Sequence, residues 1–149
     1  MGQIASLESW KTGLVTRSGA ETEQAAEAFA DLLPPDTVLS LSGELGSGKT
    51  TFVRGLARGL GYAGDVTSPS FSLLNVLEGR RRLLHVDAYR LKTPEAFDGL
   101  MVWDLAKTPW NLVVEWPERV EGRLPAESWR MEAAMLPDGA HRYRLVQPA

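Results

Sequence analysis

Cysteine is absent from the 149 residues, so disulfides and cysteine-based zinc or iron–sulfur sites are excluded. A surplus of positive charge is missing as well: 16 Lys and Arg stand against 19 Asp and Glu, for a net charge of −3. A protein that grips nucleic acid directly usually carries a basic bias, so any contact with RNA is expected through a larger assembly. No apolar run reaches the length of a membrane span. The first residues lack an apolar core behind a basic start, and the expected address is cytoplasmic. Met1-Gly2-Gln3-Ile4-Ala5-Ser6 fits the loose N-myristoylation pattern. That pattern is short enough to match by accident, and a single acyl chain anchors weakly. Internal repeats, low-complexity tracts and linkers are also missing, so one domain over residues 1–149 is expected.

What is present reads as alternating strands and helices. Thr12 to Thr16 is short and partly β-branched, as in an edge strand. Ser18-Gly19-Ala20-Glu21 has capping-box spacing and starts a helix whose apolar face is Ala25, Phe29, Leu32 and Leu33. Pro34-Pro35 stops it. Thr37 to Ser42 predicts a strand, and Thr50 to Leu60 a helix capped by Gly61. Phe71 to Leu77 and Arg82 to Tyr89 predict a hairpin across Glu78-Gly79-Arg80-Arg81, with its arginines solvated. Thr93-Pro94-Glu95 opens a short helix. Leu112-Val113-Val114 has the continuous apolar character of a strand buried on both faces. Trp129 to Leu136 and His141 to Val146 predict a second hairpin, across Pro137-Asp138-Gly139. The sum is an α/β fold of the P-loop NTPase kind, a mixed sheet with a largely parallel core flanked by helices.

Between the Thr37–Ser42 strand and the helix after it lies Gly43-Glu44-Leu45-Gly46-Ser47-Gly48-Lys49-Thr50, which satisfies G-x-x-x-x-G-K-[ST]. A polyphosphate needs dense donors, and backbone N–H groups supply them where the chain can curl round the anion. Gly43, Gly46 and Gly48 permit that curl. The helix N-terminus adds free N–H groups and its positive dipole end. Lys49 offers a mobile charge for the outer phosphates. Thr50 offers a hydroxyl to Mg²⁺, a hard cation that prefers oxygen. Thr51 completes the segment. The competing reading, a glycine-rich surface turn before a lysine, does not account for the flanking strand and helix.

Such a loop needs an acid to hold Mg²⁺ or orient water. Asp87 and Glu115 each end a hydrophobic strand, where α/β ligands usually bind. Periodicity does not rank them, and either could be a solvated strand-end charge. His85 reads first as a satisfied strand histidine. Trp116 could fill a core or interface gap, and Arg54 and Arg58 could face a partner or only water.

No N-K-x-D guanine-reading motif is present. A P-loop kinase acting on a small metabolite remains an alternative, with only the hairpin arginines as a lid. A module that binds nucleotide without turning it over is a third reading, because no residue is an evident base for water.

Four blocks together resemble the TsaE (YjeE) family, the ATPases of bacterial threonylcarbamoyladenosine tRNA modification. They are Gly43 to Thr51, Thr67-Ser68-Pro69-Ser70-Phe71, His85-Val86-Asp87-Ala88-Tyr89-Arg90 and Glu115-Trp116-Pro117-Glu118. Ser70 stands where the family commonly has Thr, and the hydroxyl is retained. The last hairpin carries no matching signature. The resemblance implies an ATPase that is weak alone and works with a TsaD–TsaB pair, which transfers threonylcarbamoyl to the adenosine beside the anticodon. Hydrolysis would reset that complex between turnovers, and tRNA would be met only through it. The same resemblance implies Thr50 and Glu115 as magnesium ligands, Asp87 as a second acid near the γ-phosphate, and Lys49 as the catalytic cation. It implies a nucleotide-sensing segment at Thr67 to Phe71, and a site or partner surface shaped by Trp116 and Tyr89.

Overall fold

The computed structural model describes residues 5–66 and 73–149. The elements run α1 (Leu7–Thr12), β1 (Leu14–Thr16), α2 (Gly19–Phe29), β2 (Thr37–Ser42), α3 (Lys49–Gly59), β3 (Leu74–Glu78) and β4 (Arg82–Asp87). They continue with α4 (Glu95–Asp98), α5 (Val102–Leu105), β5 (Trp110–Glu115), β6 (Trp129–Met135) and β7 (His141–Gln147). All seven strands join one sheet in the order β1-β7-β6-β2-β5-β4-β3. The central run β6-β2-β5-β4 is parallel. The outer pairs β1–β7, β6–β7 and β3–β4 are antiparallel. The mixed sheet with a parallel core is therefore as the sequence predicts.

Each face of the sheet carries its own core. On one face α1, α2 and α3 pack through Trp10, Phe29, Phe52 and Leu56 against Leu39, Leu83, Val113 and Tyr143. On the other, Phe97 and Val102 from α4 and α5 cover Val38, Leu84, Val86, Leu112 and Val114. Each such buried side chain contributes about 1.5–3 kcal/mol relative to exposure. Helices α2 and α3 approach closely because Gly55 and Gly59 lie four apart on α3. A Cβ at either would come within 2.3 Å of a carbonyl oxygen, that of Glu23 or Glu27.

Ser18 caps α2, accepting the Glu21 N–H at 3.1 Å. The Glu21 carboxylate reaches back one residue further than the capping box requires, to the Arg17 N–H. Helix α1 was not expected. Its signals are Ser6, which accepts the Ser9 N–H, and Trp10, which stacks edge-on against Phe29 and Phe52.

Two expectations need correction. The strand expected through Tyr89 stops at Asp87, because the Asp87 carboxylate accepts the Tyr89 N–H and turns Ala88–Arg90 into a 3₁₀ turn. The arginines of the β3–β4 hairpin are not a free, solvated tip. Arg80 bonds Asp31 and the Gly59 carbonyl. Arg81 bonds the Leu33 carbonyl and Asn111. Arg82 bonds Glu78 and the Leu105 carbonyl. They tie the hairpin to the ends of α2, α3 and α5. Arg58 likewise faces α2, paired with Glu23 and Glu27. Among the described residues, no helix is long and apolar enough to cross a membrane.

Candidate functional site

Parallel pairing sets the site. In β4 and β5, Asp87 and Glu115 are direct register partners at the carboxyl ends. β2 lies beside β5 and runs the same way, so its carboxyl end delivers Gly43 to the same edge. A cleft of about 390 Å³ opens there. Leu45, Gly46, Gly48, Lys49, Thr50 and Thr51 line it together with Asp87, Tyr89, Glu115 and Trp116, and His141 of β7 borders it beside the loop. The structure thus gathers the glycine loop and both strand-end acids into one place. Gly43, Glu44 and Ser47 do not line the cleft. The Lys49 ammonium donates to the carbonyls of Gly43 and Glu44, the latter at 2.9 Å, and to Ser47 Oγ at 3.4 Å. The expected segment Thr67 to Phe71 lies outside the described residues.

The loop's geometry needs glycine. Gly43, Gly46 and Gly48 all have positive φ, at 148°, 80° and 99°. A Cβ at Gly43 would meet the Ala133 carbonyl oxygen at 2.4 Å, and one at Gly48 would meet Tyr143 Oη at 2.3 Å. Both neighbours belong to the β6–β7 hairpin, so the loop rests on it.

Lys49 is 6% exposed. Burial pushes its ammonium below the usual lysine value, while the charges of Glu115, Asp87 and Glu118 hold it up. Its outer side is covered by the Trp116 indole, with Nζ 4.4 Å from the ring centroid, a cation–π arrangement. Trp116 has φ of 60°, rare for a bulky residue and a sign of local strain at a site. It also stacks on Tyr89 at 5.0 Å. Trp116 therefore lines the cleft while its buried part packs against the core on that face of the sheet.

His85 is fully buried and Glu115 is 3% exposed. His85 Nε2 lies 2.6 Å from Glu115 Oε2. The carboxylate accepts, so the proton sits on Nε2, and His85 Nδ1 has no partner among the described residues. The bond pins one carboxylate oxygen of Glu115. His85 is thus not only a satisfied strand histidine, since its partner is a candidate site acid.

Among the described residues, no three His, Cys, Asp or Glu side chains cluster as a metal cage. The donors at hand are the Thr50 hydroxyl and the Asp87 and Glu115 carboxylates, all oxygen. That set suits Mg²⁺, which keeps several waters and takes one or two protein carboxylates beside substrate phosphates. A larger groove of about 510 Å³ lies elsewhere, between Ser40, Glu121, Pro125 and Arg130. It holds neither the loop nor the acid pair.

Sequence reasoning missed His141 and Tyr143. His141 Nδ1 lies 2.8 Å from the Ser47 carbonyl oxygen, and Tyr143 Oη donates to that of Gly48 at 2.9 Å. Only the strand's alternation signalled that both share the face turned to α3.

Residues 16–142 match the family model described as threonylcarbamoyl adenosine biosynthesis protein TsaE. The chain belongs to the TsaE family. It is 39% identical to the tRNA threonylcarbamoyladenosine biosynthesis protein TsaE of Treponema pallidum, over 84% of this chain and 93% of that one. It is 40% identical to the Synechocystis TsaE, over 71% of this chain and 69% of that one. Among solved structures, Bacillus subtilis YdiB superposes with a TM-score of 0.69 at 29% identity, covering 89% of this chain and 82% of that one. The TsaE resemblance stated from the four motif blocks therefore holds, and so does the fold.

Proposed function

We propose that this TsaE-family chain binds ATP with Mg²⁺ and hydrolyses it as the ATPase of tRNA threonylcarbamoyladenosine biosynthesis, acting with a TsaD–TsaB pair. The reading rests on one observation above all: the glycine loop, Lys49 and the two strand-end acids line one cleft. Membership of a family named for that biosynthesis supports the pathway.

The chemistry follows from the groups present. Loop amides and the α3 N-terminus receive the phosphates. The Lys49 ammonium exchanges the carbonyls of Gly43 and Glu44 for outer phosphate oxygens, a stronger, charge-assisted contact. Thr50 and the free oxygen of Glu115 would hold Mg²⁺, which supplies positive charge where negative charge develops during transfer. Asp87 stands opposite as the acid that orients the attacking water. Water adds to the γ-phosphorus as the bond to the bridging oxygen breaks, releasing ADP and phosphate.

A metabolite kinase would need a mobile cationic lid over a second substrate. Arg80, Arg81 and Arg82 are committed elsewhere, so they do not supply that lid, although the glycine loop itself fits either reading.

The test is ATP turnover with and without purified TsaD and TsaB. Stimulation by the pair is expected, and Lys49→Ala should lower the rate by about 10²–10³-fold, as when one charged transition-state contact is lost. Undiminished turnover in Lys49→Ala would sink the reading. Tight binding without turnover, even with the pair, would leave a nucleotide-binding module instead.

A further inference from the structure

Two of the loop's carbonyls, those of Ser47 and Gly48, are held from outside it, and the holder is strand β7. Alternation along β7 puts His141, Tyr143 and Leu145 on the face that packs toward α2 and α3. His141 Nδ1 faces the Ser47 carbonyl at 2.8 Å. A carbonyl oxygen only accepts, so Nδ1 carries the proton. Tyr143 Oη donates to the Gly48 carbonyl at 2.9 Å. That oxygen already accepts the Phe52 N–H at 3.0 Å, and its two lone pairs serve both.

A trans peptide group is planar, with its C=O and the next N–H pointing in opposite directions. Fixing the Ser47 carbonyl therefore fixes the Gly48 N–H, and fixing the Gly48 carbonyl fixes the Lys49 N–H. Among the described residues, neither of these amides donates to a backbone carbonyl. Both sit in the stretch where backbone donors of this motif meet phosphate. We propose that His141 and Tyr143 are positioning residues that preorganise the phosphate loop, turning the Gly48 and Lys49 amides away from the hairpin before ligand arrives. The inference rests on the nucleotide-binding reading above and adds to it a role for the C-terminal hairpin.

A direct contact from His141 to the ligand is the competing role, since the ring also lines the cleft. The bond to Ser47 uses Nδ1, so a direct contact would have to use Nε2, the other ring nitrogen. Burial pushes the Tyr143 phenol above its usual value and keeps it a donor.

Isothermal calorimetry of the full chain with Mg–ADP tests this. His141→Ala and Tyr143→Phe should each weaken binding by about tenfold, the scale of one lost hydrogen bond. Asparagine places an amide where Nδ1 stands, so His141→Asn should return affinity to within about threefold of wild type. Glutamine places its amide nearer Nε2, so His141→Gln should not. The urea midpoints of the three His141 variants should agree, which separates loop positioning from general loss of stability. If Tyr143→Phe fails to fold, the His141 series carries the test alone. Rescue by glutamine and not asparagine would overturn positioning in favour of direct contact, and wild-type affinity in His141→Ala would overturn both roles. Failure of the wild-type chain itself to bind Mg–ADP would instead bring down the nucleotide reading, and this inference with it.

Discussion

The two halves of the sheet are built differently. Strands β4 and β5 are covered on both faces, Leu83 and Val113 facing one core and Leu84, Val86, Leu112 and Val114 the other. Strands β6 and β7 are covered on one face only: Met131, Ala133, Tyr143 and Leu145 are buried, while Arg130, Glu132, Arg142 and Arg144 are exposed. A strand buried on both sides leaves Asp87 and Glu115 at its open end, and the polar group it holds in mid-strand, His85, is bonded to Glu115 itself. A strand with one wet face can place a polar group on its covered side provided that the group finds a partner. His141 and Tyr143 find theirs in the phosphate loop. One half of the sheet supplies the site's charges, and the other holds the backbone that those charges serve.

The sharpest way to break this division is at the seam. In Gly48→Ala the new Cβ would lie 2.3 Å from Tyr143 Oη and 3.2 Å from His141 Nδ1, at a φ of 99°. Overpacking and positive-φ strain together should cost about 2–4 kcal/mol. Urea unfolding measures it, and an unchanged midpoint would mean that the hairpin does not support the loop. Adding Tyr143→Phe should recover part of the loss, because the clash eases while the backbone strain stays.

A smaller effect should follow in the charged half. His85→Leu removes the donor to Glu115 without opening a large cavity. Partners one bond removed from a metal ligand typically change metal affinity by about 10–100-fold. The Mg²⁺ concentration for half-maximal turnover should rise by that factor, and His85→Gln, which keeps an amide near the Nε2 position, should recover much of it. An unchanged Mg²⁺ requirement in His85→Leu would count against Glu115 as a ligand. On the open face, Glu132→Ala breaks an exposed pair with Arg144. It should shift stability by under about 1 kcal/mol and leave turnover alone.

The same division explains what could be read from the chain. The loop, α3 and both acids were legible because their signals are local: a glycine spacing before Lys49 and apolar runs that end in Asp87 and Glu115. Ser18 and Gly61 marked helix ends for the same reason. The role of the last hairpin was not legible. His141 and Ser47 are far apart in sequence, and the pairing of β7 on β6 and of β6 on β2 brings them together. His85 was placed on its strand, but its partner Glu115 lies on the neighbouring strand. Arg80 to Arg82 were misread because a run of arginines at a turn looks solvated until the carbonyl ends of α2 and α3 are seen beside it. Helix α1 is six residues long and owes its place to Trp10 packing rather than to propensity.

The smallest expected effect concerns what the loop costs when it waits without ligand. Burial lowers the Lys49 pKa in the folded chain, whereas an unfolded lysine titrates near about 10.4. Between the two values the unfolded chain binds more protons, so stability rises with pH in that window. Lys49→Met lacks this contribution. Its stability advantage over wild type at neutral pH should shrink as pH climbs toward about 10.4. Tyr143 acts with the opposite sign: its folded pKa is raised, so stability falls once the unfolded phenol ionises near about 10. Both chains carry Tyr143, so that fall cancels in the comparison. Chemical unfolding of the two chains between about pH 7 and pH 10, below the free lysine value, measures the difference. An advantage that stays flat or grows with pH would mean that the ammonium is fully compensated by the Gly43 and Glu44 carbonyls. A shrinking one would locate the cost of the site in the cation rather than in the bonds from β7 to the loop.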